Sequence, residues 1–272
     1  MSIEQHYEQQ LDTTALLEQV RTHYPEGADL YQLAPLDQLH IGGIKASERL
    51  LRHLDPSQPL SVLDIGSGAG GLMRQAALRG IEMIGLDITH QLNRLNQGLN
   101  HCLNTPVNTE ILTADAHHLP FADNSMDRVL FQHSLLNMPD DTAVLTECRR
   151  ILKPGGQLIM HEVLEGPHPE KMQYPVPWAE TPQQSHLLSQ TAFEQRLHDC
   201  GFNQVQLEDW SEDALEWRRR QLNKETQGKA VRAPLSPVLI LGPRFKAMGQ
   251  NLVKNLEAGA IRVMEVTAST CF

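Results

Sequence analysis

Residues 62 to 71 of this 272-residue chain read VLDIGSGAGG. Gly66, Gly68 and Gly71 give the spacing G-x-G-x-x-G. Glycine lets the backbone pass tightly from a strand end into a helix start while leaving room for a ligand, and the helix start offers free N–H groups. Three acids accompany the turn. Asp64 lies two residues ahead of the first glycine, Asp87 ends the next strand-like run where a ribose-binding acid belongs, and Asp115 follows the third run in TADAHHLPF. The glycines alone would suit a pyrophosphate equally well. Asp64 separates the readings, because a negative charge beside the cradle disfavours phosphate and favours a ligand bearing an ammonium and a sulfonium. The turn of Gly66, Ser67 and Gly68 therefore fits S-adenosylmethionine better than NAD. Asp115 is then placed to accept from an adenine amino group while the Ala116 N–H addresses the ring.

The elements that must position these residues alternate. The runs at 60–66, 82–88, 109–115, 127–133 and 156–162 are short and apolar, as buried parallel strands are, and helical patterns near 72–79, 90–103 and 140–152 separate them. Such alternation implies crossover units and a parallel sheet covered on both faces. Lys153-Pro154-Gly155-Gly156 closes the helix near 140–152. Ahead of the sheet, residues 11–23 are helical and stop at Tyr24-Pro25-Glu26-Gly27, and 47–53 ends a second helix. Residues 163–187 hold five prolines, too many residues for an ordinary connection, and read as an active-site loop or lid. A helix near 189–200, a strand over 203–210, a polar helix over 211–230 that could form a cap, a helix over 244–258 and a closing edge strand in AIRVMEVTA complete the chain.

In combination these blocks resemble the class I S-adenosylmethionine-dependent methyltransferases. VLDIGSGAGG looks like the first motif and GLDIT the second, while ADAHHLPFADNSMDRV and ECRRILKPGG look like later blocks of the quinone-biosynthesis and small-molecule branch; the likeness covers about residues 60–165. It implies an α/β, Rossmann-like seven-stranded sheet with the last strand antiparallel, plus N-terminal helices and a cap insertion. It also implies that Gly66 and Gly68 face the methionine portion, Asp87 holds both ribose hydroxyls, Ile88 packs on adenine, and Asp115 with Ala116 reads the adenine edge. Gln132 and His133 would line the methionine side. LAPLDQLHIGG, residues 33–43, is similar to the segment preceding the core in sarcosine and dimethylglycine methyltransferases, which implies that Gln38, His40 and Gly42 close over the cofactor's methionine end. The domain reading is an N-terminal helical lid over 1–55 and a methyltransferase core over 56–272, with lid and cap segments at 163–187 and 211–235.

Methyl transfer is an in-line displacement at a sulfonium carbon, so the protein chiefly positions a nucleophile and excludes water. An amine arriving neutral needs no strong base. An oxygen or carbon acceptor does, and His40 and His133 are the catalytic candidates, with His161, Glu162 and Glu165 nearby in sequence. Tyr174 and Trp178 offer aromatic faces to an alkylammonium ion, or else pin the proline-rich loop; Tyr31 and Trp217 are further candidates for that role. His117-His118 lacks the spacing of a zinc site, and no metal is assigned.

The charge of -10, from 23 basic and 33 acidic residues, speaks against nucleic acid or an anionic membrane as partner. Arg218, Arg219 and Arg220 read as a solvated helix face. The four scattered cysteines suit a reducing cytoplasm, and no run of 18 apolar residues occurs, so the expectation is a cytoplasmic protein without membrane insertion. The reading is methyl transfer to a small molecule, with an amine nitrogen of a polar metabolite as the acceptor. The alternatives are a C- or O-methyltransferase of a quinone or other lipid-like acceptor, a catalytically inactive cofactor-binding regulatory module, and an NAD-dependent oxidoreductase, which Asp64 disfavours.

Overall fold

The strand-like runs of the sequence become seven strands of one sheet in the computed structural model, which describes residues 11–226 and 234–271. These are β1 (Val62–Ile65), β2 (Ile84–Asp87), β3 (Glu110–Thr113), β4 (Met126–Gln132), β5 (Leu152–Glu165), β6 (Asn203–Asp209) and β7 (Ile261–Ser269). Their order is β3-β2-β1-β4-β5-β7-β6. β1 to β5 pair in parallel, and β7 runs antiparallel to both of its neighbours. The seven-stranded sheet with its last strand antiparallel is thus as expected, but β7 is not an edge. It inserts between β5 and β6, because Ile261, Val263, Met264 and Val266 are apolar enough to be buried on both faces, whereas β6 carries Asn203, Gln206 and Glu208 and stays at the rim.

Helices α1 (Thr13–His23), α2 (Leu30–Asp37) and α3 (Ile44–Leu51) precede the sheet; α4 (Gly71–Ala77), α5 (His90–Asn100) and α6 (Asp141–Ile151) form its crossovers. α7 (Gln190–Asp199), α8 (Ser211–Thr226), α9 (Val238–Leu241) and α10 (Phe245–Glu257) follow. Along β4 the side chains alternate: Val129 and Phe131 join the cluster under α6 and α7, while Leu130 joins Leu50, Leu72, Met73 and Ile159 under α3 and α4. Burying a leucine or phenylalanine of this kind contributes about 1.5–3 kcal/mol, which is what fixes the pairing register.

Four local readings change. α2 lies in a stretch to which the sequence reading assigned no helix, and Pro35 sits inside it; a capping box between Asp29 and Gln32 starts the helix. The Lys153–Gly156 turn does not precede β5 but belongs to it, as the pairing with β4 jumps from Met126–Leu152 to Arg128–Gln157. Residues 163–165 of the expected lid are the end of β5, and the remainder forms a loop with short 3₁₀ turns at Pro169–Lys171 and Pro182–Gln184. Arg218 is not solvated: it is 3 % exposed, its Nε donates to the Gly249 carbonyl at 3.2 Å, and its guanidinium lies over Phe245, while Arg219 and Arg220 remain outside. Of the expected helix over 211–230 and cap over 211–235, residues 227–233 lie outside the described residues. Among the described residues no helix is long and apolar enough to cross a membrane.

Candidate functional site

The cradle is built where β1 and β2 end. Gly66 has φ 74°, and a Cβ on it would lie 2.3 Å from the Ser134 Cβ, so the turn can approach the end of β4 only as glycine. The Gly66 and Ser67 N–H groups both donate to the Leu86 carbonyl, at 2.7 and 3.1 Å. One residue on, Asp87 is 9 % exposed and its two carboxylate oxygens accept from Gly68 N at 3.0 Å and Thr89 N at 2.8 Å. Each oxygen keeps a lone pair for a further donor. Ile88, next along the chain, is 43 % exposed and offers an apolar surface beside this buried acid. Asp64 is buried, and desolvation first and the Asp87 charge second push its carboxyl up to about 7. A cation entering beside it would restore its ionised form. The Ser67 Oγ, buried with no protein partner, is a further unmet group in the turn. A paired acid open to hydroxyls, an exposed apolar shelf and an acid strained towards neutrality fit a ligand with a ribose, a flat base and a positively charged tail.

Asp115 is half-exposed beyond β3, where its Oδ1 accepts from the His117 N–H and lies 2.6 Å from His117 Nδ1. Ala116 is buried beside it. Gln38 reaches the cradle from the other side: a Cβ on Gly71 would lie 2.6 Å from Gln38 Nε2. The Ser47 hydroxyl joins it to the end of β4, lying 2.9 Å from Gln38 Oε1 and 3.2 Å from Gln132 Oε1. What anchors this segment is a residue the sequence did not single out. Arg74 on α4 is fully buried and donates to Asp37, to Asn96 and Asn100 on α5, and to the Ala69 carbonyl of the turn. Removing either partner of such a buried pair leaves an uncompensated charge and costs about 3–5 kcal/mol.

His40, His133 and His161 come together from three elements. Ring centroids are 4.9 Å apart for the stacked pair His133–His161, 5.9 Å for His40–His133 and 6.2 Å for His40–His161, and Trp210 meets His161 edge-on at 5.2 Å. His161 Nε2 lies 3.0 Å from the Ile41 carbonyl and His40 Nε2 3.1 Å from that of Gly43. A carbonyl only accepts, so both Nε2 atoms carry the proton and both Nδ1 atoms present lone pairs. Burial lowers all three rings, with mutual repulsion adding to it for His40 and His133: His40 to about 3, His161 to about 4, and His133 well below the usual range. The cluster is therefore neutral near pH 7. His133 Nε2, His161 Nδ1 and Gln132 Nε2 are buried without a protein partner. His133 itself has φ 53°, a left-handed conformation that turns the chain away at the strand end. On the opposite face of β5, Glu162 Oε1 accepts from Ser134 N and Leu135 N, both at 3.0 Å, and burial raises the carboxyl to about 7. Glu165 ends the strand, its N–H paired to the Leu188 carbonyl.

Trp210, which the sequence read only as the end of a strand, is held from behind. The Arg49 guanidinium lies 5.8 Å from its ring centroid and is bound to Glu208 and Glu265, both at 2.7 Å. Burial opposes ionisation of Glu265, but His53 and Arg49 outweigh it and hold the carboxyl at about 2. Gly42 lies so close that a Cβ would be 2.4 Å from the indole. Trp178 packs against the same apolar cluster and donates to Ser185 Oγ at 3.3 Å. The loop at Tyr174 is tied to α10: Asn255 pairs with both backbone groups of Gln173, and Asn251 donates to the Pro175 carbonyl. Tyr31 stands 73 % exposed on the first turn of α2. Among the described residues, no three His, Cys, Asp or Glu side chains are arranged to hold a metal ion.

Residues 63–160 match the family model of a methyltransferase domain. Among curated relatives, phosphoethanolamine N-methyltransferase 3 of Arabidopsis thaliana is 24% identical over 67% of this chain and 36% of its own length. Demethylmenaquinone methyltransferase of Thermotoga maritima is 32% identical over 44% of this chain and 51% of its own. The chain thus spans about a third to a half of the length of these relatives. A solved structure of Haemonchus contortus phosphoethanolamine N-methyltransferase 2, with phosphomonomethylethanolamine and S-adenosylhomocysteine, superposes with a TM-score of 0.67 at 19% identity, over 93% of this chain and 59% of that one, a likeness of fold.

Proposed function

We propose, from the match of residues 63–160 to a methyltransferase-domain model and from the geometry of the site, that the protein transfers a methyl group from S-adenosylmethionine to a small molecule, with an amine nitrogen as the acceptor atom. The observation that carries this is the pair of buried acids around the glycine turn, Asp87 bridging Gly68 and Thr89 and Asp64 raised to about 7 by burial and by the Asp87 charge. When bound, the cofactor supplies a methyl group activated by its sulfonium. Asp87 takes the ribose hydroxyls on its remaining lone pairs, Ile88 supports the adenine face, and Asp115 with the Ala116 N–H reads the adenine edge. Gln38, Asp64, Ser67 and Gln132 hold the methionine end, with the helices up to residue 55 as its lid. His133 accepts the hydrogen of the incoming nucleophile at Nε2, which has no protein partner, and His40 closes the site over it. The lone-pair-rich neutral rings favour a donor such as an amine, and the phosphoethanolamine N-methyltransferases among the relatives point the same way.

A second reading, methylation of oxygen or carbon, is favoured by Glu162, whose carboxyl near 7 is a base of the strength those acceptors need. The demethylmenaquinone methyltransferase among the relatives is in keeping with it. The test combines thermal shifts with turnover of labelled S-adenosylmethionine against amines, phenols and quinones. S-adenosylhomocysteine should raise the melting temperature and NAD should not. Stabilisation by NAD alone would overturn the proposal. Binding without turnover of any acceptor would leave a cofactor-binding regulatory module.

A further inference from the structure

One buried ion pair joins the segment over the glycine turn to the turn itself. Asp37 ends α2, and the next residue is Gln38, which reaches the turn. Arg74 on α4 sends Nε and Nη2 to the same Asp37 oxygen, Oδ2, at 3.0 and 2.8 Å. Its other donors go to the Asn96 carbonyl at 3.1 Å, to Asn96 Oδ1 and Asn100 Oδ1, both at 3.0 Å, and to the Ala69 carbonyl inside the turn. One guanidinium thus touches lid, turn and α5 together. Stability is a poor reason for such a pair. The two side chains are 0 % and 2 % exposed, Asp37 Oδ1 has no protein partner, and burial outweighs Arg74 and raises the Asp37 carboxyl. A desolvated pair with one oxygen unmatched is often no better than apolar residues of similar volume. The backbone shows the same seat. A Cβ on Gly71 would lie 2.3 Å from the Asp37 carbonyl oxygen, so the third glycine of the G-x-G-x-x-G spacing is required by the lid that rests on it. The lid is down in this structure. Ser67 Oγ, Gln132 Nε2 and His133 Nε2 are buried although no protein group meets them, and Gln38 is linked through the Ser47 hydroxyl to Gln132. A ligand reaches those atoms only when the chain around them opens.

We infer that Asp37 and Arg74 are positioning residues, a latch that holds Gln38 on the glycine turn while the cofactor is in place and parts when the cofactor enters or leaves. The break falls at Asp37 Oδ2. Asn96, Asn100 and the Ala69 carbonyl keep Arg74 on the cradle side, so the lid leaves with Asp37 alone. Charge suits a contact that must be broken and remade. Both ions regain water as the cleft opens, which offsets part of the cost of parting them, whereas an apolar contact would only lose by exposure. The part played in cofactor exchange rests on the methyl-transfer reading; the contact between lid and cradle does not.

The test is amide hydrogen exchange read by segment, with and without S-adenosylhomocysteine, together with the dissociation rate of S-adenosylhomocysteine by stopped-flow displacement. Asp37→Asn keeps the shape and leaves Arg74 a neutral partner. Gly71→Ala spares both side chains of the pair and favours α4, while its methyl collides with the Asp37 carbonyl. In both variants exchange over residues 30–43 should rise by about tenfold while β1 and β4 stay protected, and S-adenosylhomocysteine should leave about tenfold faster. If S-adenosylhomocysteine binds and its dissociation is unchanged in both, the latch is overturned. A rise in exchange spread equally over the sheet overturns it too, since that marks lost global stability. Should Asp37→Asn fail to fold, Gly71→Ala decides alone. If S-adenosylhomocysteine does not bind the parent but lid exchange still rises in the variants, the lid contact stands and the methyl-transfer reading falls.

Discussion

The two ends of the cleft match their buried polar groups through different parts of the chain. At the ends of β1 and β2, Asp87 is matched by backbone donors of the same turn, from Gly68 and Thr89, and the turn is held by the Leu86 carbonyl, with Ser67 Oγ left without a protein partner. At the ends of β4 and β5, side chains meet side chains, and Gln132 Nε2, His133 Nε2, His161 Nδ1 and Glu162 Oε2 have no protein partner. Leaving a buried polar atom unmatched costs about 1–3 kcal/mol, so four together are an expense that stability does not explain. On the proposed function, the first end is preorganised for the cofactor and the second offers acceptors and donors to the methyl acceptor.

The largest effect should come from His133. Asn tolerates the left-handed backbone at that position but removes the imidazole lone pair that would orient the nucleophile, so His133→Asn should lower turnover by about 10²-fold while S-adenosylhomocysteine affinity, read by calorimetry, stays within about threefold. Equal loss of both would erase the distinction between the ends. Asp87→Asn should do the reverse. Its amide would set an N–H against the Gly68 or Thr89 N–H, and cofactor affinity should weaken by about ten- to a hundredfold, or about 1.4–2.8 kcal/mol, with turnover at saturating cofactor largely kept. Affinity within a factor of about two of the parent would mean that this acid does not hold the ribose.

The imidazoles give a prediction in pH. His161 is lowered to about 4 in the folded chain, so below about pH 6.5 the unfolded state binds more protons and the folded state loses stability as pH falls. His161→Asn lacks that loss. Its stability deficit against the parent should therefore shrink by about 2 kcal/mol between pH 7.5 and pH 5, measured by denaturant unfolding. Asp64 and Glu162 titrate in the same window with opposite sign but are present in both proteins and cancel. A deficit independent of pH would show that the ring is not held neutral. The smallest effect concerns the cradle: with Asp64 near 7, affinity for a cationic cofactor should fall by up to about tenfold per pH unit below that value, in calorimetric titrations. A flat profile from pH 8 to pH 5.5 would place the positive charge elsewhere.

What the sequence determined by itself is the cradle, and the reason is range. Asp64, Gly66, Gly68, Asp87 and Ile88 lie within 25 residues, and their placement follows from a strand end, a tight turn and a backbone N–H close along the chain. The alternation of apolar runs set the parallel sheet in the same way, through local periodicity. Tertiary structure alone decided the rest. Nothing in HIGG, FQHS and IMHE says that His40, His133 and His161 share a space, or that Trp210 closes it from a strand end some 50 residues later. Arg74 looks like an ordinary helix residue until Asp37 and Asn96 are seen around it, and Arg218 like a solvated one until Gly249 and Phe245 are. Polar residues far apart in sequence become a site only when burial removes water from all of them at once, and which ones are buried together is fixed by packing of the whole chain, not by any local pattern.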